Sequence, residues 1–281
     1  MIRSQSEANE RLSFREFECH GWEERVTEYD RSWGHVTRAF IPAILRTLPR
    51  IEGCRLLDLA TGPGYAAGAA AACGADAQGV DFSAHMVAQA RSAYPDATFH
   101  IADVLDLPFE GSAFDAVVSN FGVQHFADPA AVFAEAARVL QPGGMLTFTL
   151  WAERTRNAAA LILETAVERH AVIPSPVPEG PDYHHLLSLS ELRATLGRAG
   201  LDTTTVSSRL QIVPWRLKTP DELFQAEFSG SVRSGAQLRC QPAAALENIR
   251  HAMAADISVN YRESSSFIVP MAAYVISASK P

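Results

Sequence analysis

The 281-residue sequence has few cysteines and no run of positive charge. Its four cysteines, Cys19, Cys54, Cys73 and Cys240, form no CxxC pair. That spacing supplies neither a zinc knuckle nor a thioredoxin-type motif, so no metal site is expected and the thiols read as reduced. The net charge is −8. A general nucleic-acid binder carries a basic face, so no nucleic-acid partner is expected. A membrane span needs about 20 apolar residues, and the small-residue run from Tyr65 to Ala75 is much shorter than that. The first residues, MIRSQSEANERLSFREFE, are charged and lack the apolar core of a signal peptide. Repeats and low-complexity tracts are also missing. Together these absences predict a cytoplasmic protein without a membrane segment. Hydrophobic residues make up 47% and charged residues 20%, which suits one large domain or a domain with a cap.

Along the chain, residues 1 to about 20 carry no periodic pattern. Between Gly21 and Leu48, apolar residues at helical spacing (Val36, Phe40, Ala43, Ile44, Leu48) predict one or two helices. A regular alternation follows. Short apolar runs at 55–59, 77–81, 97–101, 114–119 and 145–150 read as buried strands. Helices separate them over 65–73, from Ser83 to about Tyr94, and after the Asp128-Pro129 start signal. Such alternation predicts a parallel sheet covered on both faces, an α/β fold. Beyond Trp151 the pattern becomes helix (157–170), a proline-rich loop, helix (188–198), strand (206–213), helices (219–262) and a last strand (267–277).

Chemistry concentrates in Leu56-Leu-Asp-Leu-Ala-Thr-Gly-Pro-Gly64, where the first strand turns into a helix. Glycines there let a ligand approach the backbone, at the strand end where open α/β sheets bind ligands. Asp81 ends the second strand, about 20 residues on, where a carboxylate accepts hydrogen bonds from ribose hydroxyls. Gly62, Gly64 and Gly68 would also suit an NAD(P)-dependent oxidoreductase. Asp58 argues against that, since a carboxylate beside the loop repels a pyrophosphate and attracts an ammonium. Ala102-Asp103 offers a second acid after the third strand.

With those residues in view, the chain resembles the class I S-adenosylmethionine-dependent methyltransferases, in particular the small-molecule branch with the ubiquinone/menaquinone C-methyltransferases. The likeness rests on LLDLATGPG (56–64), GVDFSAHMVAQAR (79–91), IADVLDLPF (101–109), FDAVVSNFGVQHF (114–126) and ARVLQPGGMLTFTLW (137–151). It implies a doubly wound, Rossmann-like sheet of seven strands with the last antiparallel, plus a helical cap. The implied division is an N-terminal helical lid (1–50), a cofactor-binding core (51–151) and a C-terminal half (152–281) with cap insertions at about 152–187 and 219–262.

The resemblance implies S-adenosyl-L-methionine as cofactor and methyl transfer by in-line displacement to a small, largely apolar acceptor such as a quinone or phenol. Asp58 is then expected to face the methionine ammonium, directly or through water. Ala60, Thr61, Gly62 and Gly64 form the backbone cradle, and Asp81 takes the ribose. Phe82 and Met86 flank the adenine, Ala102, Asp103 and Val104 meet its edge, and Asn120 contacts the methionine part. Ala60 stands where the family often has a glycine, which an alanine satisfies if φ is negative there. Tyr29 and Trp33 are expected either to fold over the cofactor or to pack as ordinary helix residues. His125 is the general-base candidate, because a neutral imidazole accepts a proton near pH 7. The His184–His185 pair lacks a ligand cluster and reads as pocket wall or surface. Trp151, Trp215 and Phe228 are candidates for lining an apolar cavity. A cofactor-binding protein without methyl transfer and a homodimer both stay open.

Overall fold

The computed structural model describes residues 12–281; residues 1–11 of the expected lid lie outside the described residues. The apolar runs become the strands β1 (Arg55–Leu59), β2 (Asp76–Asp81), β3 (Thr98–Ile101), β4 (Phe114–Ser119) and β5 (Leu140–Trp151). They pair in parallel in the order 3-2-1-4-5. Leu56, Leu57, Val80, Val117 and Val118 are fully buried, as strands covered on both faces must be. The crossovers are α4 (Tyr65–Ala72), α5 (Ala84–Ala93) and α6 (Pro129–Val139). Ser83 caps α5 by accepting from the Met86 amide, and Asp128 caps α6 by accepting from Ala131.

Two long strands complete the sheet. β8 (Ser266–Ser279) runs antiparallel between β5 and β6 (Ser207–Leu217). Being antiparallel to β8, β6 shares the direction of the first five strands. The described residues hold one strand beyond the seven expected: β7 (Arg262–Glu263) forms a tight hairpin with β8 through Ser264, whose φ is 52°. β5 also begins earlier than expected. Gly143 and Gly144 pair with Lys280 near the C-terminus, through Gly143 N to Lys280 O (3.0 Å) and Lys280 N to Gly144 O (2.8 Å).

The N-terminal region differs from its expectation. The first helix, α1 (Phe14–Ser32), starts inside the segment expected to be loose. The cause is local: Ser13 and Glu16 form a reciprocal capping box, with the Ser13 amide donating to Glu16 at 2.8 Å, which satisfies donors that would otherwise fray. Short α2 (Gly34–Arg38) and α3 (Ile41–Leu45) follow. After the sheet's first half come α7 (Ala158–His170) and α8 (Leu189–Arg198), and between β6 and β7 come α9 (Glu222–Gly230), α10 (Arg233–Arg239) and α11 (Ala243–Asn260). Trp33, Phe121, Ile162, Trp215, Leu223, Ile249 and Met253 join these helices to the sheet in one apolar cluster. No helix among the described residues is long and apolar enough to cross a membrane.

Candidate active site

The strand order reverses between β1 and β4, and the loops leaving these two strands meet there. A crevice at such a switch point is where open α/β sheets hold ligands. The approach is close: a Cβ on Gly122 would lie 2.8 Å from the Ala60 Cβ and 2.7 Å from Ser119 Oγ. The crevice opens into a cavity of about 720 Å3 whose wall includes Asp58, Gly62, Asp81, Met86, Asp103 and His125. That volume lies within the range of small-molecule sites.

Each carboxylate on this rim is fixed by backbone donors. Asp58 is 1% exposed, and its Oδ2 accepts from Thr61 Oγ1 (2.7 Å) and the Ala67 amide (3.1 Å). Its Oδ1 is buried without a hydrogen-bond partner. Burial pushes this carboxyl up to about 7, against the lowering effect of Thr61 and Ala67. Asp81 accepts from the Ser83 amide (3.0 Å) and the Gly62 amide (2.8 Å). Burial raises it to about 6, opposed by those two amides. Phe82 (39% exposed) and Met86 (3% exposed) both reach the cavity wall beside it.

Other expected residues are placed differently in detail. Ala60 has φ +50°, so the negative φ on which an alanine there was acceptable is not found. The turn demands the left-handed region whatever residue occupies it, and the alanine carries the strain. Gly64 (φ +86°) is set back from the wall: a Cβ there would lie 2.8 Å from the Ala90 Cβ and 2.9 Å from the Phe99 ring. Its role is to let α4 pack on α5 and β3. Asp103 lines the cavity between Ala102 and Val104, but Arg15 of α1 is ion-paired to its Oδ2, and the Leu105 amide donates to Oδ1 at 3.0 Å. Asn120 also lines the cavity, with its amide tied to Thr37 O (3.1 Å) and to the Thr149 hydroxyl (3.0 Å). Tyr29 and Trp33 both line the cavity and are packed as well: Tyr29 donates to Thr37 Oγ1 (3.3 Å), and Trp33 Nε1 donates to Ala226 O (3.2 Å).

Beyond the rim the wall turns aromatic. Trp151 stacks on Phe121 at 3.9 Å, and Phe121 holds a φ of +63°. Trp215 and Phe228 do not reach the cavity. Trp33 stands in front of Trp215 at a ring distance of 4.8 Å, and Phe228 stacks on Phe224. His125 ends a single turn of 3-10 helix (Val123–His125), and its Nδ1 lies 3.0 Å from Glu18 Oε2. Glu18, on α1, is 3% exposed. It also accepts from Trp22 Nε1 (3.0 Å) and is ion-paired to Arg233 of α10. Arg233 further donates to Gln124 O (2.5 Å) and lies over the Tyr183 ring. Burial raises the Glu18 carboxyl, but His125 and Arg233 together outweigh it and hold it below the usual carboxylate range. His184 reaches the wall beside Tyr183, and its Nδ1 is buried without a partner. No group of three metal-ligating side chains occurs among the described residues.

Glu18, Trp22, Tyr183, Glu227 and Arg233 are absent from the sequence-based expectations. A signal existed for two of them. Glu18 falls on the i+4 ladder Phe14–Glu18–Trp22–Val26, and Glu227 on the buried stripe Leu223, Ala226, Glu227, Gly230. An acid inside an apolar helical stripe is out of pattern and deserves a functional reading.

A family model described as a methyltransferase domain matches residues 57–148. A demethylmenaquinone methyltransferase of Parafrankia sp. is 30% identical over 208 residues, covering 66% of this chain and 79% of that protein. One of Beutenbergia cavernae is 38% identical over 117 residues, 42% of this chain and 46% of its own length. The chain thus spans most of the first relative and under half of the second. The YcgJ protein of Bacillus subtilis has a solved structure similar to this one, with a TM-score of 0.57 at 19% identity over 86% of this chain and 98% of that one. At that identity the likeness shows the fold alone.

Proposed function

Since the chain belongs to the class I S-adenosylmethionine-dependent methyltransferases, we propose that its acceptor is a small aromatic hydroxyl compound of the quinol type. The observation that carries this reading is the continuity of one cavity from the carboxylate rim to an aromatic chamber between α1, α7 and α9–α10. The relatives' demethylmenaquinone substrates point the same way. We read α1 as a lid and residues 152–187 and 219–262 as the cap. A net charge of −8 and reduced thiols suit a cytoplasmic protein that does not bind nucleic acid.

The rim fits the cofactor. The partnerless Asp58 Oδ1 suits an ammonium, because an ion pair there satisfies an otherwise orphaned buried oxygen. Asp81 uses one lone pair of each oxygen on backbone amides and keeps the others for ribose hydroxyls. Phe82 and Met86 would flank the purine, and Asp103, already paired with Arg15, would accept from its amino group. When bound, S-adenosylmethionine supplies a methyl group on a cationic sulfur that leaves as a neutral thioether, so no acid is needed. The protein's work is to orient the acceptor, exclude water and remove one proton. Trp33, Phe121 and Trp151 hold an aromatic ring. Glu18 keeps His125 protonated on Nδ1, which leaves Nε2 free to take the acceptor's hydroxyl proton.

Incubation with methyl-labelled cofactor tests this against reduced naphthoquinones, benzoquinols, simple phenols, amines and carboxylates. Label in the quinols is expected. Label only in amines or carboxylates contradicts the acceptor class, and no label in any compound contradicts methyl transfer itself.

A further inference from the structure

The chemistry above leaves a second buried acid, Glu227, without a task. It is 6% exposed and sits on the cavity wall. Its hydrogen-bond partner is a neutral hydroxyl: Ser234 Oγ donates at 2.5 Å. One donor leaves lone pairs free on a carboxylate that accepts about four.

No cation among the described residues is paired with Glu227. Arg233 and Arg239 of α10 are turned to Glu18 and to the Phe228 carbonyl. Arg25 of α1 is held by Glu24, and Arg250 of α11 by Glu247 and Asp221. Glu164 of α7 adds repulsion to the desolvation that pushes the Glu227 carboxyl up to about 7, which Ser234 and Ser231 only partly offset. An apolar residue at this place in the stripe would avoid burying an uncompensated acid.

The position of Glu227 is fixed. Its neighbour Ala226 accepts from Trp33 Nε1 at 3.2 Å. Gly230, one turn on, abuts α1 so closely that a Cβ would lie 2.3 Å from Ser32 Oγ. The carboxyl therefore keeps a set relation to Trp33, which lines the same cavity. The cavity's own cations, Arg15 and Arg233, are already neutralised by Asp103 and Glu18. An anionic acceptor finds no free partner here, whereas a hydroxyl finds an acceptor.

We propose that Glu227 is the specificity-determining hydrogen-bond acceptor for a hydroxyl of the methyl acceptor, so that the cavity takes hydroxyl-bearing aromatics and refuses their ethers and carboxylates. This rests on the quinol-type reading above and adds the group that selects the hydroxyl. An ionised carboxylate accepts more strongly than the neutral acid. The preference for a hydroxyl therefore grows as pH rises through about 7, the value to which burial brings this group.

The test is calorimetric binding of 1-naphthol and 1-methoxynaphthalene to protein saturated with S-adenosylhomocysteine, at pH 6 and pH 8. The wild type, Glu227→Gln and Glu227→Leu are compared. The wild type is expected to favour 1-naphthol by about tenfold at pH 8 and by less at pH 6. The preference is expected to vanish in Glu227→Leu and to shrink and lose its pH dependence in Glu227→Gln, with unchanged affinity for S-adenosylhomocysteine. If Glu227→Leu does not fold, the isosteric Gln variant decides through the pH dependence. A preference that survives in Glu227→Leu, one that stays pH-dependent in Glu227→Gln, or a wild type with none overturns the proposal. Because the readout is binding, a failed transfer assay beside an intact naphthol preference sinks the reaction and leaves the assignment of Glu227 standing.

Discussion

The cavity has two halves built by different means. On the rim, Asp58, Asp81 and Asp103 stand at the ends of consecutive strands or just beyond, and backbone amides of the adjoining turns and of α4 hold them. On the other side, Glu18, His125 and Arg233 come from α1, the turn after β4 and α10, and they hold one another across the molecule. The first half is built mainly by the sheet and its crossovers, with Arg15 of α1 reaching Asp103. The second exists only when α1 and α10 are both docked. Electrostatics divide the same way. Asp58 and Asp81 are raised by burial, whereas Glu18 is lowered by partners the protein itself supplies.

That contrast breaks most visibly at Glu18. Glu18→Ala strands Arg233 part-buried without its counter-charge, at an expected cost of about 3 kcal/mol in urea denaturation. Glu18→Gln should lose less. The pH sign follows from the lowered carboxyl: the stabilisation is full above the unfolded value and is lost as pH falls through the lower folded value. Asp58 and Asp81 behave oppositely. Their folded values of about 7 and 6 lie above the ordinary 3.8, so the stability they lend is full below 3.8 and is lost as pH rises through about 6–7. A stability profile of the ligand-free protein that rises from pH 5 to 8 in the wild type, and stays unchanged in Asp58→Asn, would argue against this division.

Asp81→Ala comes next. It removes the acceptor proposed for the ribose, together with the charge-assisted bonds from the Gly62 and Ser83 amides. S-adenosylhomocysteine binding should weaken by about 100-fold, while the melting temperature moves little. Asp58→Asn should cost about tenfold, the lower end of what a hydrogen bond to a charged group contributes. The smallest expected change has the opposite sign. Ala60→Gly relieves the φ of +50° and should add about 0.5–1 kcal/mol, read from the denaturation midpoint.

Legibility in sequence follows the same line. The strand alternation and the LLDLATGPG loop are local, and they announced the sheet, the rim and the position of Asp81. The Ser13–Glu16 capping box was equally local, yet residues 1 to about 20 read as loose because an N-terminal segment shows no period before its helix begins. The sign of φ at Ala60 is fixed by the turn and not by the residue, so composition pointed the wrong way. The second half needed distances between residues 18, 125, 183, 227 and 233, which no spacing encodes. Only the acids in apolar stripes, Glu18 and Glu227, left a trace. Trp215 and Phe228 mislead for the complementary reason: an aromatic side chain has the same pattern whether it meets a ligand or another ring.

Calorimetric titration with S-adenosylhomocysteine at pH 6.5, in two buffers of different ionisation enthalpy and with NADH as the control, tests the central claim most directly. An ammonium reaching Asp58 must drive off the proton that burial holds there at about 7. The expected result is tight binding with net proton release that disappears in Asp58→Asn, and no binding of NADH. Binding of NADH in place of the homocysteine ligand, or ligand binding without any proton released, would contradict the account.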